Sequence, residues 1–266
     1  MEVKDIMSKN VIYVNKRDDV DYILQLMAKY KITKAPVMED GKLVGIVTDN
    51  KIAEKLGSIR SRGVTPAHLR AMTVMEKKFE VVSPDTPVVK ILETVGEPGP
   101  TMLPVVSNEY LVGVVTKADL LHLVDDEGNI KEIMSTPVIS VAPDDRVVHA
   151  RRLMIDKNIA RIPVVENGKP VGIISDWEIA NAFAKLKKGV TLGKQGSHIK
   201  NLLVRDVMKS PPITARDTIT IKEAAKMMME HEVGCLPIVG GDGNIQGIVT
   251  RTDLLKNLLK KLKQRQ

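Results

Sequence analysis

The chain has 266 residues, 43% of them apolar and 27% charged, and a net charge of +7 at neutral pH. That content suffices for more than one buried core, while the basic excess permits an acidic partner without requiring one. A single cysteine, Cys235, excludes an intramolecular disulfide and a thiolate zinc site, and aromatic residues at only 3% weaken the case for a single-stranded nucleic-acid stacking platform.

In chain order, the opening MEVKDIMSKN lacks the apolar stretch of a secretion signal. No later window approaches the roughly 18 unbroken apolar residues of a membrane span. The expectation is a soluble, cytoplasmic protein with no membrane partner. The next feature is a repeat. A methionine closes an opening turn at Met7, Met75, Met134 and Met208, and a proline follows 29 residues later in every case, at Pro36, Pro104, Pro163 and Pro237. A strand glycine then comes 9, 9, 9 and 10 residues on, at Gly45, Gly113, Gly172 and Gly247. The extra residue falls in Gly240-Gly241-Asp242-Gly243-Asn244, a hairpin turn where insertion costs little.

Each copy follows one order of elements, clearest in the third. Val138 to Val141 reads as a short strand, and Val147, Val148, Ala150, Leu153 and Met154 mark an amphipathic helix that fades near Asn158. Ile162-Pro163-Val164-Val165 and Val171 to Ile174 flank an Asn167-Gly168 turn as a hairpin, and a helix runs from Asp176 to about Lys187. The fold class is therefore α+β, four β-α-β-β-α units. They span 1–57, 72–125, 130–187 and 204–266, with basic, weakly periodic linkers at 58–71 and 188–203. A unit this small rarely stands alone, so the copies are expected to pack in pairs.

Every copy ends its second hairpin arm with one phrase. It reads Gly247-Ile248-Val249-Thr250-Arg251-Thr252-Asp253 in the fourth copy, recurs from Gly113 to Asp119 and from Gly172 to Glu178, and appears as Gly45 to Lys51 in the first. A hydroxyl and an acid three residues apart at the start of a helix have two readings. They form a capping box, in which the acid reaches back to the first N–H. Alternatively, the carboxylate accepts a ribose diol while the hydroxyl and helix N–H groups face a phosphate.

Four copies with a proline before the second arm and this ending resemble cystathionine beta-synthase (CBS) domains. The resemblance covers the chain apart from the linkers and implies two pseudo-twofold modules, copies one and two forming one and copies three and four the other. It also implies adenosine-ligand clefts in which the acid of one copy works with the first strand and pre-proline residues of its module partner. Carried over residue by residue, Asp253 and Thr250 would face Thr136, Val138, Arg161 and Ile162. Asp119 and Thr116 would face Asn10, Val11, Lys34 and Ala35, and Glu178 and Ser175 would face Ile213 and Gly234. Arg251, Arg161, Lys117 and Lys34 stand where a phosphate or other charged tail could be neutralised. Lys51 removes the first copy's acid, so that cleft, shared with Lys78, Phe79, Met102 and Leu103, reads as empty or as taking a phosphate instead.

The resulting expectation is a non-enzymatic energy-sensing regulator. It binds AMP, ADP, ATP or S-adenosylmethionine as a regulatory ligand, with no catalytic cofactor, and signals to a regulated protein through module arrangement. A homodimer is a secondary expectation. The alternative is a nucleic-acid-associated regulator using the basic linkers and the tail LLKNLLKKLKQRQ. The scattered histidines His68, His122, His149, His198 and His231 have no metal-ligand spacing.

Overall fold

The computed structural model describes residues 1–58, 64–95, 102–189 and 195–264. Copy one runs β1 (Val14–Asn15), α1 (Val20–Tyr30), β2 (Lys34–Glu39), β3 (Lys42–Thr48) and α2 (Asp49–Gly57). Copy two has α3 (Ala71–Val74), α4 (Val88–Val95), β4 (Met102–Ser107) and β5 (Tyr110–Thr116); copy three has α5 (Val147–Asp156), β6 (Arg161–Glu166), β7 (Lys169–Ser175) and α6 (Asp176–Gly189). Then come α7 (Gln195–Asn201), β8 (Ala215–Arg216), α8 (Ile221–Glu230), β9 (Cys235–Val239), β10 (Ile245–Thr250) and α9 (Arg251–Gln264).

The hairpins are antiparallel, β2 with β3, β4 with β5, β6 with β7 and β9 with β10. Their tight turns put Asp40-Gly41 and Asn167-Gly168 at positive φ, which suits Gly, Asn and Asp. The first strand is shorter than its apolar run suggests. β1 and β8 have two residues each, and in the third copy Val138 to Val141 contributes one parallel bridge, Val141 to Val164. A segment that meets a hairpin edge for one or two residues needs few ladder bonds.

Two further expectations are corrected. The phrase from Gly113 to Asp119 opens no α-helix, since the chain turns through Lys117–Leu120 and a short 3-10 stretch, Leu121–Leu123, before entering copy three. The stretch 188–203, read as a linker, carries α7, whose Ile199 packs on the core together with Leu202 just after the helix.

The copies interlock crosswise. The opening turn of one copy is exchanged with another, so Ser8 bridges to Val114, Glu76 to Ile46, Ser135 to Ile248 and Lys209 to Ile173. The exchange buries Val3 among residues of copy two and Ile130 among residues of copy four. The two landmarks of the repeat meet here, because each methionine covers the strand glycine of its exchange partner. A Cβ added at Gly45, Gly113, Gly172 or Gly247 would lie 2.7, 2.6, 2.5 or 2.6 Å from the sulfur of Met75, Met7, Met208 or Met134. Gly172→Ala also meets the Lys209 carbonyl oxygen at 3.1 Å. It should cost about 1–3 kcal/mol in urea denaturation. Met208→Ala should recover part of that loss in the double variant.

The apolar clusters run the other way. One joins Ile23, Met27, Ile52 and Leu56 of copy one to Met154, Ile179 and Phe183 of copy three; the second joins Ile91, Leu92 and Leu120 of copy two to Met228, Leu254 and Leu255 of copy four. Helices α2 and α6 lie against each other in the first cluster, and α4 and α9 in the second. Each copy is thus tied to one neighbour by exchanged backbone and to another by a shared helical core.

Candidate ligand clefts at the strand-to-helix turns

Each hairpin ends at the hydroxyl-bearing fourth residue of the repeated phrase, and its register partner is the residue two before the proline. Thr48 pairs with Lys34, Thr116 with Met102, Ser175 with Arg161 and Thr250 with Cys235. The acids take the capping geometry through one oxygen. Oδ2 of Asp253 accepts from the Thr250 N–H and hydroxyl, both at 2.7 Å, and Oδ2 of Asp119 accepts from the Thr116 N–H at 2.7 Å and hydroxyl at 2.6 Å. Glu178 accepts from the Ser175 N–H at 3.0 Å and from its hydroxyl. An ionised carboxylate has about four lone-pair positions, so two bonds at one oxygen fix its orientation and leave acceptor capacity on the other. At Asp119 the Ser8 hydroxyl donates to that second oxygen at 3.3 Å.

The exchanged segments run past these acids. Ser135 bridges beside β10 and leads into Thr136 and Val138; Ser8 bridges beside β5 and leads into Asn10 and Val11; Lys209 bridges beside β7 and leads toward Ile213. Val138, Val11 and Ile213 are half-buried and present apolar surface, whereas Ile162 and Ala35 are fully buried and can offer only backbone.

The charged residues divide by copy. After the hydroxyl come Asp49 and Asp176 in copies one and three, but Lys117 and Arg251 in copies two and four. The cations crowd together. The Arg161 guanidinium lies on Gly234, where a Cβ would fall 1.8 Å from Nη1, and Arg251 donates from Nη2 to the Val233 carbonyl at 3.1 Å. Arg251 Nε is buried without a hydrogen-bond partner. Burial, then Arg161, lowers Arg251 to about 10 against the pull of Asp119. Burial, then Lys34 and Arg161, lowers Lys117 to about 8 against the pull of Asp253. Lys117 is 5% exposed and donates to the Thr252 hydroxyl at 2.8 Å. Burial lowers Lys34 as well, with Asp49 and Asp176 opposing and Arg161 and Arg251 adding to the effect. Lys117 of copy two thus feels the acid of copy four, and Arg251 of copy four feels the acid of copy two.

Opposite these cations lies a paired group that sequence reasoning missed. Asp176, 2% exposed, takes an ion pair from Arg151 and a 3.0 Å hydrogen bond from the Asn50 amide of copy one. Burial, then Asp49, raises Asp176 to about 6 despite Arg151. The available signal was the alternation of acid and cation after the hydroxyl. Cys235 is a buried free thiol, raised by burial, as its apolar surroundings imply.

The exchanged, paired β-α-β-β-α copies with clefts at their strand-to-helix turns define a class of ligand-cleft repeat proteins. The CBS domain family model matches four times, at residues 3–58, 71–126, 130–185 and 204–260, and the chain belongs to that family. An uncharacterised Methanocaldococcus jannaschii protein, MJ1404, is 30% identical over 96% of this chain, which spans 61% of that relative's length. MJ1225 of the same organism, described as a candidate archaeal homologue of g-AMPK, has a crystal structure with a TM-score of 0.83 at 25% identity, covering 97% of this chain and 99% of that one. A Pyrococcus horikoshii protein shares the fold, with a TM-score of 0.61 at 22% identity over 97% of this chain and all of that one. Among the described residues no helix is long and apolar enough to cross a membrane.

Proposed function

We propose that the chain is a regulatory sensor of adenine nucleotides, with the clefts of Asp253 and Asp119 as its principal sites and the cleft of Glu178 as a third. The observation that carries this reading is the crowding of Arg161, Arg251, Lys117 and Lys34. Four partly desolvated cations repel one another, and a phosphate placed among them would relieve that repulsion and supply an acceptor for Arg251 Nε. The acids hold the ribose end and the cations of the opposite copy hold the phosphate end. A phosphate-bearing ligand therefore fits better than S-adenosylmethionine, whose sulfonium adds positive charge. The kinship with MJ1225 supports the same reading.

A ligand held by an acid of one copy and a cation of another couples their arrangement, because it stabilises whichever geometry brings both to it. A regulated protein would read that geometry. The nucleic-acid alternative is less well supported, since Lys261 of the basic tail is held at 2.5 Å by the buried carboxylate of Asp126, which also accepts from the Asn257 amide.

A thermal-shift panel of AMP, ADP, ATP, S-adenosylmethionine, GTP and a short DNA duplex tests the proposal. An adenine nucleotide at about 1,000 times its Kd should add about 4 kcal/mol of apparent stability. A salt-sensitive response to DNA with none to any nucleotide would reject the reading.

A further inference from the structure

Beside the cation cluster stand two buried acids outside the ribose-gripping set. Asp49 and Asp176 follow the hydroxyl in copies one and three, where copies two and four have Lys117 and Arg251. They open α2 and α6, the helices that lie against each other between those two copies. The backbone places each acid next to a cation of the cluster. The Asp49 N–H donates to the Thr33 carbonyl at 2.9 Å, one residue from Lys34, and the Asp176 N–H donates to the Ala160 carbonyl at 3.2 Å, one residue from Arg161. Lys34 and Arg161 are also the register partners of the preceding Thr48 and Ser175.

The groups facing Asp176 come from three elements. Arg151 of α5 pairs with Oδ1, and the Asn50 amide of α2 donates to Oδ2 at 3.0 Å while the Asn50 backbone carbonyl accepts from Arg151 Nη2 at 3.3 Å. Asp49 of α2 opposes ionisation of Asp176, and Lys34 of β2 favours it. Burial, Asp49 and these partners leave Asp176 at about 6, so one more negative charge nearby moves the carboxyl toward its neutral form.

We propose that Asp176 is a proton-linked counter-ion of the nucleotide sites: a phosphate that reaches Lys34 and Arg161 drives its protonation, so binding takes up a proton and tightens as the medium acidifies. The proposal rests on the nucleotide reading of the clefts. The proton passes from solvent to the Asp176 carboxylate, and the cations that this carboxylate had balanced are left to the phosphate. The sign follows from linkage, because a ligand that binds the protonated state better must raise the proton affinity of that state. Lys117 contributes separately, since a group held at about 8 is already charged in mildly acidic solution.

The test is isothermal titration of the full chain with AMP and ADP, in paired buffers of different ionisation enthalpy, at about pH 5.5, 6.5 and 7.5. The parent should take up protons on binding at about pH 6.5, and Asp176→Asn, which fixes the neutral state, should lose most of that uptake. The same variant should bind about threefold tighter or more than the parent at about pH 7.5, with the gap closing toward pH 5.5. A merely structural role for Asp176 would weaken binding instead. The ligand phosphate titrates in the same range but contributes alike to both proteins, so their difference isolates the carboxyl. Asp49→Asn keeps Asp176 and removes a charge that opposes its ionisation, so it should move the uptake to lower pH, and it serves as the readout where Asp176→Asn does not fold. Uptake equal in the parent and both variants, or Asp176→Asn binding no tighter than the parent at about pH 7.5, would overturn the proposal. Absence of binding heat with either nucleotide would reject the nucleotide reading itself, and the proposal with it.

Discussion

Arg151→Ala is expected to cost about 3–5 kcal/mol at pH 7, because it strands a buried carboxylate where α6 lies against α2. Arg151 and Asp176 are 8% and 2% exposed, and their pair is closed by the Asn50 amide from α2. Burial and the neighbouring Asp49 already hold Asp176 at about 6, while Arg151, Asn50 and Lys34 pull the other way. Removing Arg151 deletes the largest of those opposing influences.

The pH dependence has a definite sign. A carboxyl whose folded value lies above its unfolded value binds its proton more tightly in the folded state. Its contribution to stability is greatest below about 4 and is lost as pH rises through about 6. The deficit of Arg151→Ala relative to the parent should therefore narrow as pH falls from 7 toward 5. In the background of Asp176→Asn that narrowing should vanish. Urea denaturation at several pH values measures both, and a deficit that is constant with pH would mean Arg151 acts through packing alone.

The repeat was legible because its landmarks do local work. Met and Gly recur at fixed spacing since each methionine must cover a strand glycine that admits no Cβ, and the hairpin turns recur since positive φ restricts them to few residues. The helix stripes of α1 and α8 were likewise readable, because Val20, Ile23 and Met27 face the first core and Ile221, Ala224 and Met228 the second, whereas in α5 Val148 of the expected stripe is 36% exposed and Arg151 is buried on that face.

What spacing does not contain is which copy faces which. The helical cores join one with three and two with four, so Asp176 meets Asn50 across 126 positions of sequence and Lys117 meets Thr252 across 135. Local pattern also overstated two elements. The phrase ending at Asp119 has the same pattern as a helix start, yet the chain passes through turns and a short 3-10 stretch there. The run Val138 to Val141 is apolar enough for a strand, but it touches only one edge of a hairpin. The approach of Glu76 in copy two to Lys51 in copy one, at 3.9 Å, needed both the register and the exchange to be seen.

Asp253→Ala separates the two roles that one carboxylate performs. The side chain holds the Thr250 N–H and hydroxyl through Oδ2, so its loss should lower stability by about 1 kcal/mol, the usual scale of a cap. If the second oxygen also grips a ribose, the same substitution removes charge-assisted bonds worth about 1.5–3 kcal/mol and should weaken adenine-nucleotide binding at least tenfold. Asp253→Asn distinguishes the two. Its amide oxygen can still accept from Thr250, so most of the stability should remain, while the loss of charge should still reduce affinity. Isothermal titration with AMP and ADP, beside urea denaturation of the same samples, reads both quantities. Affinity unchanged in both variants with stability lost in the alanine variant would reduce Asp253 to a helix cap. Affinity lost in both, with stability largely kept by asparagine, would assign it to the ligand. Because Lys117 feels Asp253 from the opposite copy, Lys117→Met should then weaken the nucleotide more than adenosine, marking the phosphate end of the same cleft.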